Sequence, residues 1–320
     1  MPDPFVWVDG ERTIHFGPAA DAVSRLGGPG YTLLTTPRAA AAAPWIVAAA
    51  GAVHDVGAGQ VHELAGALLG VVTGERIVAL GGGRVVDVAK ALAAASKVRA
   101  MAVPTTLSGA EMTSGHRHAV GVDEATPRVR PAVVVFDPAL AASQPLPELA
   151  ASSLNALGHA VEGPCTVKAN PVATLAAHEA ARLLAAGWAP DEPDRETLAL
   201  GALLAGYVID STGLGLHHVL AQTLVRVAGA GHGAANAAVL PHTIAALARR
   251  KPDEIAAFGD VAGLARRLQV VAGAVSLEAI GVDAAVLPAC ADAAAARPQL
   301  ANTPPAAGRD EILAIYEAAL

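Results

Sequence analysis

The sequence lacks several features that would mark a secreted, nucleic-acid-binding or membrane protein. Its two cysteines, Cys165 and Cys290, lie far apart and form no CxxC motif, which argues against both a disulfide framework and a thiolate metal site. The formal net charge is −7, and lysine and arginine form no cluster. Because binding to nucleic acid or to an anionic bilayer needs such a cluster, we expect neither as a partner.

A long apolar run and a leader segment are also missing. The longest stretch without a charged residue, 227–248, contains two histidines, one asparagine, one proline and three glycines instead of the dense Leu, Ile and Phe content of a membrane span. Residues 1–4 (MPDP) do not lead from a cationic segment into an apolar one, so no signal peptide is expected. The sequence predicts a cytoplasmic protein that acts on a small molecule.

The sequence does contain enough apolar material for two domains. The chain has 320 residues, of which 53% are hydrophobic, and this length favours two cores. In the first half, short apolar runs that end at Pro, Gly or Asp alternate with helical Ala/Leu patterns. The runs are 31–36 (YTLLTT), 77–80 (IVAL), 100–103 (AMAV) and 132–136 (AVVVF). They predict an α/β domain with a parallel sheet.

Strand signals disappear after the element Pro145-Leu146-Pro147. Segments rich in Ala, Leu and Glu, separated by Gly, Pro and Asn, continue to the end of the chain. Because paired prolines punctuate a chain, we place the domain boundary at this element. Residues 1–147 are then a dinucleotide-binding α/β domain, and 148–320 are an all-helical domain.

A glycine loop follows the second predicted strand. Gly81, Gly82 and Gly83 lie between the run 77–80 and a predicted helix whose apolar residues follow the i, i+3, i+4, i+7 spacing. Glycines let a backbone approach a phosphate closely, and the helix start offers unpaired N–H groups. The loop therefore fits a pyrophosphate, although it is not a GxGxxG motif and a tight strand-to-helix turn explains it equally well.

The next strand is followed by hydroxyl groups at the same sheet edge. Thr105, Thr106 and Ser108 lie in the segment 104–111 (PTTLSGAE). Ligands of α/β sheets bind at the carboxyl ends of the strands, which favours a binding role. A polar loop without function remains the alternative.

Histidines of the second half lie in otherwise apolar helical segments. Asn155 and His159 are four residues apart and share a helix face, as do His218 and Gln222. His232 lies between two glycines and is expected to head a helix that begins near residue 234. For each histidine alone, a hydrogen-bonded core residue is the simpler interpretation. Sequence spacing alone does not show whether residues 159, 218 and 232 lie close together in the fold.

Five segments together resemble the iron-containing alcohol dehydrogenase superfamily in order and spacing. They are 81–90 (GGGRVVDVAK), 104–113 (PTTLSGAEMT), 137–140 (DPAL), 146–163 (LPELAASSLNALGHAVEG) and 217–242 (HHVLAQTLVRVAGAGHGAANAAVLPH). Within that superfamily, four features resemble the maleylacetate reductase branch, which reduces a carbon–carbon double bond with a nicotinamide coenzyme in the degradation of aromatic compounds. They are Asn155 in place of the usual Asp, the pair His217-His218, Thr36-Pro37, and the tail Asn302-Thr303-Pro304-Pro305.

The resemblance implies a Rossmann-like, dehydroquinate-synthase-like first domain that binds NADH or NADPH. By this resemblance, the glycine loop 81–83 holds the pyrophosphate, with Asp87 and Lys90 on the helix behind it. Thr105, Thr106 and Ser108 line the coenzyme between ribose and nicotinamide. For Asp87 and Lys90, an ordinary exposed ion pair is the alternative. The resemblance also implies an active site between the domains and a homodimer.

By the same resemblance, Asn155, His159, His218 and His232 occupy the four metal-ligand positions of the superfamily. Neutral Asn155 removes the anionic ligand, so we expect a divalent metal to bind weakly or not at all. Three histidines can still hold zinc, which leaves occupancy open. Without a metal, the three histidines would donate hydrogen bonds to the substrate, and one of them or His217 would supply a proton.

Two further residues depart from the family pattern. Arg84 replaces the usual Ser of the glycine loop. Gln222 replaces a histidine often assigned to proton transfer. Gln222 cannot titrate. Three functions therefore stay open. They are a maleylacetate-reductase-like enzyme, a metal-dependent alcohol or aldehyde dehydrogenase, and a member that binds coenzyme but has lost catalysis.

Two arginines supply more specific expectations. No Asp or Glu follows the first predicted strand, whereas Arg38 does, so NADPH should be accepted alongside NADH. Arg117, in the segment 116–118 (HRH), is the candidate partner for a substrate carboxylate. The alternative for Arg117 is a solvated surface loop.

Overall fold

The structure is a computed structural model that describes residues 3–72 and 74–320. The chain divides into two compact units, Met1–Ser143 and Gln144–Leu320. The boundary lies before the element Pro145-Leu146-Pro147, which begins a helix instead of separating the units. Proline fits there because the first turn of a helix leaves its N–H groups without intrahelical partners.

The described part of the first unit contains one seven-stranded sheet in the order β1-β2-β7-β6-β5-β3-β4. The strands are β1 Phe5–Asp9, β2 Arg12–Phe16, β3 Thr32–Thr35, β4 Ala52–Asp55, β5 Arg76–Gly81, β6 Arg99–Pro104 and β7 Val133–Phe136. Along the sheet, every neighbouring pair from β2 through β7, β6, β5 and β3 to β4 is parallel. At the other edge, β1 is antiparallel to β2. The predicted α/β class is confirmed, with the correction that the sheet is mixed at its β1 edge.

Both faces of the central strands are buried, which explains their continuous apolar runs. Successive side chains of a strand point to opposite faces. Leu33 and Val78 pack into one core cluster, whereas their neighbours Leu34 and Ile77 pack into the cluster on the other face. Within residues 3–72 and 74–143, six helices accompany the sheet: α1 Ala22–Arg25, α2 Pro37–Ala42, α3 Pro44–Ala48, α4 Val61–Ala67, α5 Gly83–Ser96 and α6 Pro138–Ala141.

The second unit is helical throughout, as expected. Its α-helices are α7 Leu146–Glu162, α8 Pro171–Gly187, α9 Arg195–Thr212, α10 Leu216–Thr223, α11 His232–Arg250, α12 Pro252–Ala256, α13 Val261–Ala272, α14 Leu287–Ala295 and α15 Arg309–Ala318. A π-helical turn, Leu224–Ala228, continues α10. Helix α7 packs against α8, α9, α10, α11 and α13. Every residue of α7 from 152 onward is buried, so its polar side chains must find partners inside the unit.

No single helix in the described chain is long and apolar enough to cross a bilayer. The pair Arg195–Thr212 and Leu216–Ala228 meets the length and composition requirements together, but its two helices are bent by 99°.

Candidate active site

The glycine loop forms the floor of a cleft in the first unit. Strand β5 ends at Gly81, and α5 begins at Gly83 with Gly82 as its N-cap residue. The cleft has a volume of about 300 Å³ and lies at the carboxyl ends of β3, β5 and β6. It is lined by Thr36, Arg38, Ala39, Gly82, Gly83, Arg84, Val85, Thr105 and Thr106.

Close packing, and not backbone conformation, requires glycine in this loop. Gly82 has a φ of −77°, which any residue adopts. A Cβ at Gly82 would lie 2.8 Å from Cγ2 of Thr106, and a Cβ at Gly83 would lie 2.9 Å from Oγ of Ser108. Side chains at these positions would therefore push the loop away from the segment that follows β6. The first helical N–H groups of α5 remain free of intrahelical partners beside the cleft.

The polar lining of the cleft is cationic or neutral. Arg38 and Arg84 lie on it, and no Asp or Glu is among its lining residues. Arg38 donates to Oγ of Ser143 at 2.9 Å, whereas the exposed side chain of Arg84 is at the start of α5. The hydroxyl of Thr106 is buried without a hydrogen-bond partner. Positive charge, a helix start and a free hydroxyl suit the phosphates and ribose of a dinucleotide.

Asp87 and Lys90 lie outside the lining of this cleft. Lys90 is fully buried, and its Nζ lies 2.7 Å from Oδ1 of Asp87. The same Nζ donates to the carbonyl oxygens of Ala110, Thr113 and Gly115 at 2.9, 3.0 and 2.8 Å. The pair is therefore not the exposed ion pair considered from the sequence, because the Lys90 side chain is fully buried. It ties α5 to the segment that follows β6.

Two other predicted residues of the first unit also lie apart from the cleft lining. Ser108 contacts the glycine loop from behind, and its Oγ accepts the N–H of Ala110 at 3.3 Å. Arg117 is exposed on a loop, where its guanidinium lies 2.9 Å from Nδ1 of His62 on α4. The structure thus places Arg117 on the surface, the alternative that the sequence left open.

Three predicted histidines of the second unit come together. His159 on α7 stacks on His218 of α10, with ring centroids 4.5 Å apart. His217 meets His218 edge to face at 4.7 Å. The close approach of α10 to α7 depends on Gly158, because a Cβ there would lie 2.6 Å from Nε2 of His217. We call His159, His217 and His218 the histidine cluster.

Asn155 and His232 flank this cluster differently. Asn155 is buried on α7, one turn before His159. His232 is exposed as the first residue of α11, two residues earlier than expected for the helix start. Its charge lowers the pKa of both His159 and His218, so it lies within electrostatic reach of the cluster.

Glu162, which the sequence argument did not select, orients His218. Its Oε1 accepts the N–H of Gly215 at 2.7 Å, and its Oε2 accepts the backbone N–H of His218 at 3.1 Å. Oε1 also lies 3.2 Å from Nδ1 of His218. Because both oxygens accept backbone N–H groups, Nδ1 is the donor, and Nε2 of His218 carries a lone pair without a protein partner. This differs from the donor role expected for His218.

His217 is held in a similar way. Oγ1 of Thr243 donates to the carbonyl of Leu240 at 2.9 Å and therefore accepts from Nδ1 of His217, which lies 2.9 Å away. The side chain of Asn236 also interacts with the imidazole of His217 and acts to raise its pKa, against the larger lowering by burial. Of the cluster, only His159 keeps its N–H free for a ligand, since its buried Nδ1 has no hydrogen-bond partner.

Burial keeps the histidine cluster neutral. It is the main cause that lowers the pKa of His217 to about 3, followed by the charge of His218. Burial, and then His232, lowers the pKa of His218 to about 3. The pKa of His159 falls well below its usual 6.5 for the same reason, followed by the charge of His218. At pH 7 the cluster therefore holds lone pairs and N–H groups but no net charge.

The donor set as arranged does not fit a bound metal. An imidazole binds a metal in its ring plane at about 2.0–2.1 Å. The planes of His159 and His218 are only 20° from parallel with centroids 4.5 Å apart, so their lone pairs do not converge at that distance. In the described residues, no group of three or more His, Cys, Asp or Glu side chains is placed to hold a metal ion.

A distant segment braces the start of α10. Oγ1 of Thr303 accepts the N–H of Leu216 at 3.1 Å, and Nδ2 of Asn302 donates to the carbonyl of Leu214 at 2.7 Å. These bonds hold the turn from which His217 and His218 project. In the sequence, Asn302 and Thr303 are part of the family resemblance, which implies no role for either residue.

The sequence is similar to several known proteins. A sequence model of the Fe-containing alcohol dehydrogenase family, C-terminal, matches residues 149–320. Maleylacetate reductase from Rhizobium sp. (strain MTP-10005) is 30% identical, and the match covers 92% of each chain. Maleylacetate reductase 1 from Rhodococcus opacus is 37% identical over 55% of this chain and 52% of that protein.

A solved structure extends the likeness over the whole chain. The crystal structure of maleylacetate reductase from Agrobacterium tumefaciens has a TM-score of 0.81 and 28% identity, covering 100% of this chain and 99% of that one. The resemblance seen in the sequence motifs is confirmed. The chain belongs to the Fe-containing alcohol dehydrogenase family, a family of NAD(P)-dependent oxidoreductases.

Proposed function

We propose that this chain is an NAD(P)H-dependent reductase of the maleylacetate reductase type. It would reduce a carbon–carbon double bond conjugated to a ketone, with one hydride and one proton adding across the bond and the coenzyme leaving as NAD(P)⁺. Relatives of that name at 30% and 37% identity support the assignment. The observation in this chain that carries it is a buried, neutral polar site without a carboxylate ligand, formed by Asn155 and the histidine cluster.

In this proposal, the first unit holds the coenzyme. The N–H groups at the start of α5 and the guanidinium of Arg84 bind phosphate oxygens, and the hydroxyl of Thr106 binds a ribose or nicotinamide oxygen. NAD(P)H supplies the hydride when bound. Arg38 and Arg84, with no acidic residue on the cleft lining, also favour acceptance of a 2'-phosphate.

The second unit stabilises the charge that develops on the substrate. Hydride addition to a conjugated double bond moves an electron pair onto the ketone oxygen, and preorganised donors lower the energy of that oxyanion. His159 and the amide of Asn155 are the donors, one turn apart on α7. Since burial lowers the pKa of the cluster, its imidazoles do not store a proton at pH 7, and the proton comes from water.

One observation favours the alternative, a metal-dependent alcohol or aldehyde dehydrogenase. Glu162 holds Nδ1 of His218 and leaves Nε2 as a lone pair, an arrangement that metal-binding histidines commonly have. The near-parallel rings and the neutral Asn155 weigh against it.

An absorbance assay of NADH and NADPH oxidation decides between the candidates. Maleylacetate is compared with a panel of aldehydes and ketones, with the protein assayed before and after dialysis against a chelator. We expect turnover of maleylacetate that survives dialysis. Turnover restricted to aldehydes, lost on dialysis and restored by zinc or iron, would favour the dehydrogenase. Coenzyme binding without turnover of any substrate would indicate lost catalysis.

A further inference from the structure

Arg297 is a partly buried arginine without an acidic partner. It lies in the connection between α14 and the 3₁₀ turn Pro298–Asn302. One terminal nitrogen donates to the carbonyl of Val219 at 3.1 Å, and the other donates to Oε1 of Gln222 at 2.8 Å. Both acceptors belong to α10 and are neutral. Among the described residues, Arg297 forms no ion pair.

This arrangement leaves a positive charge uncompensated. Burial, followed by the charge of Arg226, lowers the pKa of Arg297 to about 10, so the side chain still carries its charge at pH 7. Glu162 is the one carboxylate whose charge acts on Arg297, but its oxygens already accept N–H groups of Gly215 and His218. Buried charges are usually paired because an isolated one is costly.

The two bonds of Arg297 leave part of its hydrogen-bonding capacity unused. A guanidinium has five N–H donors, and the edge formed by Nε and one terminal nitrogen matches the two oxygens of a carboxylate. The Nε atom of Arg297 has no partner in the described structure. A carboxylate arriving there would receive a forked pair of charge-assisted hydrogen bonds.

Gln222 adds a second donor beside this guanidinium. It lies one turn after His218 on the same face of α10. Because Oε1 of Gln222 accepts from Arg297, the amide orientation is fixed, and its NH₂ group points away from Arg297. That NH₂ group makes no hydrogen bond within the described residues. A glutamine suits this position better than the histidine usual in the family, since a charged imidazole would repel the guanidinium.

We propose that Arg297 and Gln222 together bind a carboxylate of the substrate and make the site selective for dicarboxylates. The inference rests on the proposed function and names its anion-binding group, in place of Arg117. Maleylacetate carries a carboxylate at each end of a chain that contains the ketone and the double bond. A carboxylate held beside Gln222 would leave the ketone toward His218 and His159, one turn back along the same helix face.

The test compares Arg297→Met with Arg182→Met, a control that removes an exposed arginine paired with Glu179. Steady-state assays give KM and kcat for maleylacetate. Calorimetry on the coenzyme-loaded protein gives Kd for adipate, a six-carbon dicarboxylate, and for adipamide, its neutral counterpart. We expect Arg297→Met to raise KM and the adipate Kd by about 10- to 100-fold, the effect of losing a charge-assisted hydrogen-bond pair. Adipamide binding should change less than threefold.

Additional variants separate substrate binding from a purely structural role. Arg297→Lys keeps the charge and should recover part of the affinity for adipate. Gln222→Leu keeps Arg297 and removes only the amide, and we expect KM to rise by about three- to tenfold. This variant decides the question if Arg297→Met does not fold. A loss of affinity that is equal for adipate and adipamide would mean that Arg297 only supports α10 and would overturn the proposal.

The outcomes distinguish this inference from the proposed function. Turnover of maleylacetate with unchanged KM in Arg297→Met and Gln222→Leu rejects the carboxylate site and leaves the function standing. Adipate binding that depends on Arg297 in a protein that does not reduce maleylacetate supports the site and rejects the function. Neither turnover nor adipate binding rejects both.

Discussion

Lys90 of the first unit and Arg297 of the second unit differ in how their charges are compensated. In the first unit, Lys90 is fully buried, but Asp87 and the carbonyls of Ala110, Thr113 and Gly115 surround its ammonium group. In the second unit, Arg297 has neutral acceptors only. A polar group whose hydrogen bonds are all made holds the fold together. One that is buried with unused atoms marks a place where a ligand supplies the missing partner.

Glu111 challenges this contrast, because it is a buried group of the first unit whose carboxyl oxygens have no hydrogen-bond partner in another residue. Burial raises its pKa from 4.5 to about 7, against the lowering influence of Lys90 and Arg12. Between these values the folded protein binds a proton that the unfolded chain has released. Stability is therefore present below pH 4.5 and lost as the pH rises through 7, by about 3 kcal/mol.

Glu111→Gln should remove this loss and give the largest effect among these tests. The amide stays neutral at every pH, so the variant should be about 3 kcal/mol more stable than the parent at pH 8 and equal to it near pH 4.5. Urea unfolding at both pH values measures the difference, with the exposed Glu124→Gln as control. Equal urea midpoints of the parent and the variant at pH 8 would show that Glu111 has a partner in the folded protein, as Lys90 does.

The contribution of the histidine cluster to stability depends on pH in the opposite direction. Its pKa values are lowered, so its contribution is present above pH 6.5 and lost as the pH falls toward 3. In Glu111→Gln the acid-side loss should remain while the loss on the alkaline side disappears. If Glu111→Gln still loses stability both as the pH falls and as it rises, the alkaline loss cannot be assigned to Glu111 in the first unit.

Glu162→Gln tests whether the second unit alone sets the chemistry. The amide cannot accept all the N–H groups that Glu162 accepts, so His218 loses its fixed tautomer. We expect kcat to fall by about 10- to 100-fold, because His218 stacks on the donor His159 and loss of its fixed tautomer disturbs that donor. KM for the coenzyme should stay unchanged. Nitrogen NMR shifts of His218 report the tautomer directly, and Glu179→Gln on α8 is the control. A shift in coenzyme KM without a change in kcat would reverse the roles of the units.

Arg84→Ser tests the complementary role of the first unit. Arg84 is exposed, so its bond to a phosphate is partly screened by water, and we expect KM for NADPH to rise by about three- to tenfold. The kcat value with maleylacetate should not change. Arg25→Ser, which removes an arginine of the same unit outside the cleft lining, controls for the loss of charge. An unchanged KM would mean that Arg84 is only solvated.

Chelation is expected to have the smallest effect. If Asn155 and the histidine cluster act as neutral polar groups, dialysis against a chelator leaves kcat and KM unchanged. Metal analysis of the protein as purified accompanies the assay. Near-stoichiometric zinc or iron, with activity lost on dialysis and recovered on adding that metal, would show that Asn155 and the histidine cluster bind a metal.

The sequence predicts the parts of this molecule whose signals are local. Strands β3, β5, β6 and β7 are buried on both faces and give continuous apolar runs. By contrast, β1 alternates between partly buried and exposed residues, and β4 does the same, so both were missed. Strand β2 was missed because polar residues interrupt its apolar ones. The glycine loop was found because it adjoins its strand directly.

The histidine cluster could not be derived from spacing. Its members lie on α7 and α10, and only the packing of those helices brings them together. Glu162 reaches His218 across 56 positions of sequence, and Thr303 reaches Leu216 across 87. The family resemblance supplied the histidine positions, but it did not identify the partners that set their tautomers. A carboxylate three residues after His159 in an apolar helix was the signal that could have indicated Glu162.

The bond between Thr303 and Leu216 has a consequence for biosynthesis. A ribosome that adds about 5–20 residues per second makes Thr303 roughly 4–17 s after Leu216, given their separation of 87 residues. During this interval the N–H of Leu216 lacks Thr303, and the carbonyl of Leu214 lacks Asn302. All residues that line the glycine-loop cleft are therefore synthesised before the residues that support the start of α10.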